Sequence, residues 1–130
     1  MKLNQSTILW VVSLVALIFG LLTIYSGGSV LFVDGAARED AGNYVPFVLW
    51  FNFIAGFIYI LAAAGLLLQK TWAAWISIFL FFSTLIVFAL LGIHILSEGL
   101  FEDRTLAAMS LRSIVWGLIS VFSYRKFIRV

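Results

Sequence analysis

The chain has 130 residues, of which 64% are hydrophobic and 11% charged, with a formal net charge of +2 and no cysteine. A soluble domain carries about one quarter charged residues and cannot hide so much apolar surface at this length, so the solvent is lipid and residues 1–130 form a single integral membrane domain. The few, scattered positive charges exclude a nucleic-acid partner, and the lack of cysteine excludes disulfides, thiolate metal sites and cysteine nucleophiles.

Roughly 20 apolar residues are needed for a helix to cross a bilayer. The first such run is 8–25, ILWVVSLVALIFGLLTIY. It is longer than the apolar region of a secretory signal, and no A-x-A site follows, so it reads as an uncleaved span. The stretch SGGSVLFVDGAAREDAGN follows as the one long loop, with a short apolar piece at residues 30–33 that lies back on the membrane or plugs the bundle mouth. The second span is 44–68, with Pro46 in its first turn, where a missing N–H costs nothing. After the turn Gln69-Lys70-Thr71 comes a third span at 72–96, and a fourth covers 106–122. The apolar runs are continuous rather than alternating, which favours helices over barrel strands. The expected fold is therefore all-α, a four-transmembrane-helix bundle.

Four spans put both termini and the Lys70 turn on one side. That side carries Lys2, Lys70, Arg125, Lys126 and Arg129 and no acid. The opposite side carries Arg38, Arg104 and all six acids, Asp34, Glu39, Asp40, Glu98, Glu102 and Asp103. Basic residues favour the cytoplasm, so both termini are expected there, in a multi-pass protein of the cell inner membrane.

Lipid gives helices no hydrophobic reason to associate, so inward faces are marked by small and polar residues. Helical spacing picks out Ser13, Leu17, Gly20 and Ile24 on the first span, Asn52, Gly56, Tyr59 and Ala63 on the second, and Ser83, Val87, His94 and Glu98 on the third. The fourth span has two faces. Ser110, Ser113, Gly117 and Ser120 form a small-residue seam for close packing, and Arg112 lies about 120° away, beside Thr105 and Ala108. Below this polar outer half, the segments around Leu66 and Leu80 look dry.

Arg112 is the strongest single signal. Placing an arginine at a helix centre costs about 2.5–3.5 kcal/mol, so it must face the bundle and find a partner. Glu98 and Glu102 are the acids in reach. The resulting cluster, Asn52, Tyr59, His94, Glu98, Glu102 and Arg112, is expected to form a polar pocket open to the outer side. For Arg112 a structural clamp between helices competes with an anion contact, for which a guanidinium fork is well shaped. Three roles compete for His94: a structural imidazole oriented by Glu98, a proton relay, or a ligand to metal or haem iron. A single histidine without cysteine is too few ligands for a closed site, so no metal or other cofactor is expected, with haem or quinone kept as alternatives. No base is placed to activate a serine, and no Walker, dinucleotide or zincin pattern is present. The sequence therefore reads as a non-catalytic accessory or interaction protein, partnered by lipid and by copies of itself or a larger membrane complex, with a pocket for a small ligand. A small oligomeric transporter or channel using the same pocket is the second reading, and a redox, lipid or quinone-binding protein the third.

Overall fold

A computed structural model describes residues 5–33 and 35–128. The order is α1 (Gln5–Phe32), α2 (Ala36–Ala41), α3 (Pro46–Leu67), α4 (Thr71–Leu96) and α5 (Asp103–Ser123), which runs on as a π-helical turn over Tyr124–Ile128. The described residues contain no strand. Four helices, α1, α3, α4 and α5, are long and apolar enough to cross a membrane, which makes the chain a multi-pass membrane protein. Lys2, Asp34 and Arg129, used above to read topology, lie outside the described residues.

The first span is longer than its apolar run suggests. Its 28 residues rise about 42 Å, more than the roughly 30 Å hydrocarbon core, so its last turns stand clear of the core or the helix tilts. The segment expected to start the long loop is thus mostly helix. Arg38 supplies the reason at the C-terminal end: its Nε and Nη2 donate to the carbonyls of Val30 and Leu31, at 2.8 and 3.0 Å, satisfying groups a helix end leaves open. What remains of the loop is α2 and its two short flanks.

Two helices end in the same way. After α3 the amide of Lys70 donates to Gly65 O and that of Gln69 to Leu66 O; after α4 the amide of Gly99 donates to His94 O and that of Glu98 to Ile95 O. Each is the paired bonding of a Schellman stop, which needs one left-handed residue. Gln69 (φ 56°) and Glu98 (φ 63°) take that place, although glycine is the usual occupant.

Buried positions recur at alternating steps of three and four. On α1 they are Leu9, Ser13, Ala16, Gly20, Thr23, Gly27 and Val30. On α4 the stripe is Ala73, Ser77, Leu80, Thr84 and Leu91, with Ala74 buried beside it, and on α5 Met109, Trp116, Ile119 and Ser123, with Ser120 buried beside it. A mean step near 3.5 is that of left-handed helix packing. The helices pack in a chain: α1 on α3, α3 on α4, and α4 on α5. Helices α1 and α3 approach through glycine. A Cβ built on Gly20 would lie 2.9 Å from Gly56 O, and one on Gly56 would lie 3.3 Å from Gly20 O. The main apolar core joins Tyr59, Leu66, Leu80 and Trp116, and a smaller one, Val45, Val48, Leu91 and Met109, fills the end nearer α2 on the α4 side. Hydroxyls are buried at the termini end too: Ser77 and Ser123 turn back on their own helices, to Ala73 O and Ile119 O, while the hydroxyls of Ser13 and Ser120 have no hydrogen-bond partner among the described residues.

Candidate functional site

Arg112 stands on the same stripe of α5 as Met109 and Trp116 and points into the bundle. Its Nη1 donates to Thr23 Oγ1 of α1 at 3.1 Å and to Tyr59 OH of α3 at 3.2 Å. Its Cζ lies 5.2 Å from the centre of the Phe19 ring and 5.9 Å from that of Tyr59. Aromatic faces and hydroxyls therefore receive the cation, with no carboxylate of the described residues in ion-pair contact. Tyr59 is itself fixed. It is fully buried, tilted against Trp116 at 4.8 Å between ring centres and set edge-on to Phe19 at 5.7 Å.

Above this group, toward α2, lies a cavity of about 260 Å³. Arg112, Asn52 and Thr23 form its floor region, and Tyr44, Glu102 and Arg104 stand nearer its mouth. Arg112 is about 14 Å along α5 from Asp103, and Asn52 about 9 Å along α3 from Pro46, at 1.5 Å per residue. Two buried atoms here, Arg112 Nε and Asn52 Oδ1, have no hydrogen-bond partner among the described residues. Of the described charged side chains lining the cavity, two are basic (Arg104, Arg112) and one acidic (Glu102), a net of one positive charge among them.

The mouth is laced across helices. Glu102 Oε1 accepts from the amide of Asn43 at 2.8 Å, and Arg104 Nη2 donates to Asp40 O. Together with the Arg38 bonds to α1, these tie α2 across the bundle end between α1 and α5.

The structure brings Asn52, Glu102 and Arg112 to one cavity and sets Tyr59 under Arg112. It does not bring His94 or Glu98 there. Helix α4 ends at Leu96, so the i+4 relation between the two is broken: Glu98 sits in the left-handed stop with its side chain exposed. His94 Nε2 donates to Leu100 O at 2.9 Å, its ring lies edge-on to Phe47 at 6.0 Å, and a Cβ on Gly99 would overlap it. The imidazole thus closes the α4–α5 link. Among the described residues no group of three His, Asp or Glu side chains is placed to hold a metal ion.

Thr23, Phe19 and Arg104 were not among the expected site residues. Thr23 was legible in principle, because it continues the three–four spacing through Ala16 and Gly20. Arg104 carries no such mark, since its partner is a backbone carbonyl of α2. Comparison with known proteins finds no family model, no curated protein and no solved structure that matches the chain, so the site is read from its geometry.

Proposed function

We propose that the chain is a non-catalytic membrane protein whose cavity beside α2 binds a small anionic group against Arg112. One observation carries this reading. The guanidinium is inside the bundle with neutral oxygens and ring faces around it, so its desolvation is partly offset while no described residue brings a counter-charge into contact with it. An anion entering the cavity supplies that counter-charge and takes hydrogen bonds from the N–H groups the protein leaves unused. Below Tyr59 the interior is closed by Leu66, Leu80, Trp116 and Ile119, which favours a binding site over a path through the bundle.

We further propose that both termini face the cytoplasm and that the cavity opens to the outer face of an inner membrane, supported by the five basic residues and absence of acids on the termini side. The site reading is tested by titrating the detergent-solubilised protein with inorganic phosphate and glycerol 3-phosphate in a calorimeter. Saturable binding by the native chain is expected, with at least a tenfold loss in Arg112→Lys, since a point charge does not reproduce the planar fork. Heats of dilution alone, or equal affinity in Arg112→Lys, would overturn the reading.

A further inference from the structure

The cavity is not the only space that reaches Arg112. A second cleft of about 520 Å³ opens sideways between α1 and α5. Thr23, Ser26, Ala108 and Arg112 line both spaces, so the two meet at the guanidinium. The cleft exists because the chain of helix contacts, α1–α3–α4–α5, does not close by close packing of α5 on α1. The Thr23–Arg112 bond spans that gap.

Polarity is graded along the cleft. Thr23, Ser26 and Arg112 stand at the end near the cavity, and Val15, Ile18, Leu22 and Leu111 line the rest. Along α1 the lining runs from Ser26 back to Val15, eleven residues or about 16 Å, away from α2 and toward the middle of the membrane. Ile18, Leu22 and Leu111 are exposed, so this wall faces the hydrocarbon. One anion-seeking group, a polar chamber beside it toward α2 and an apolar furrow leading away from it match the parts of an acidic amphiphile in their natural order.

We propose that the anion held at Arg112 is the head group of an anionic phospholipid of the surrounding bilayer, entering sideways between α1 and α5 and laying an acyl chain in the cleft. This rests on the anion-site reading above and names its ligand class. The chain gains little from exchanging lipid for the cleft wall, because both are apolar. Selectivity among lipids therefore comes from the head group, while the advantage over a water-soluble phosphate comes from the lipid's concentration in the apolar phase that the cleft opens to.

The test is native mass spectrometry of the full chain in a non-ionic detergent with dioleoyl phosphatidic acid, dioleoyl phosphatidylcholine or glycerol 3-phosphate. Phosphatidic acid is expected to be retained at a concentration at least tenfold lower than either of the others. Leu22→Trp fills the lipid-facing cleft wall at an exposed position without touching the cavity. It is expected to abolish that advantage and leave glycerol 3-phosphate binding as it was. Undiminished phosphatidic acid retention in Leu22→Trp, equal retention of phosphatidylcholine, or glycerol 3-phosphate bound as tightly as phosphatidic acid would each overturn lateral lipid entry. Binding of glycerol 3-phosphate without a lipid advantage leaves the anion site standing alone, and binding of neither anion by the native chain removes both readings.

Discussion

Arg112 shows how a charge is kept inside a membrane bundle with no described carboxylate in contact. Two hydroxyls and two ring faces share it, and each hydroxyl bond to a charged group is worth about 1.5–3 kcal/mol. Removing either acceptor, in Tyr59→Phe or Thr23→Val, is expected to lower stability by about 1–3 kcal/mol. The double variant should lose less than the sum, because both oxygens serve one nitrogen. Unfolding in detergent measures this, and unchanged stability in both single variants would mean the guanidinium has turned into the cavity. Glu98 makes the opposite case. It occupies a left-handed position that costs an L-residue about 1 kcal/mol, with its side chain exposed. Glu98→Gly is expected to raise the melting temperature by a few degrees. A fall would reveal a contact that matters more than the backbone. The inward aspect of Asn52, Tyr59 and Arg112 was legible because each is polar deep within an apolar run. The separation of His94 from Arg112 was not, because the i+4 spacing to Glu98 assumed a helix that in fact stops at Leu96. Gly99, just past the stop, was the available sign of it.

At the scale of helices, the inward stripes were placed by a period of 3.6, and the helices follow one nearer 3.5. Leu17 is exposed while Ala16 and Thr23 are buried, and α4 buries Ser77 and Thr84 while Ser83 satisfies itself on Leu80 O. The small-residue seam of α5 is split in the same way. Ser110 is exposed, while Ser120 is buried and Gly117 abuts Phe81. A Cβ at Gly117 would meet Phe81 Cε1 at 3.0 Å, a ring at the end of a side chain, whereas at Gly20 it meets Ile60 and the backbone of Gly56. Gly20→Leu and Gly56→Leu are therefore expected to disrupt the fold severely and Gly117→Leu much less, since backbone on a neighbouring helix has nowhere to go. Unfolding of the three variants side by side checks the order, and equal losses would contradict it.

For the whole molecule, the proposed topology has a direct check. A reporter joined after Val130 should be active only in its cytoplasmic form, and one inserted beside Gly42, an exposed glycine between α2 and α3, only in its external form. The reverse pattern would turn the cavity inward. The four spans and their order were legible because length and apolarity set them almost alone. The tie of α2 across the bundle end was not, because it is made by backbone carbonyls and amides that side-chain patterns do not reveal.

The open edge between α1 and α5 also bears on how the protein is made. Synthesis delivers α1, α3 and α4 before α5, and α5 brings the arginine. Thr23 and Tyr59, both from earlier spans, are thus already in the membrane when the costly residue arrives, and α5 completes a receptor for its own charge. The open α1–α5 edge gives that span a way in from the side. Loss of both hydroxyls is then expected to appear during biogenesis as well as in the finished protein, as a larger share of chains whose fourth span fails to insert.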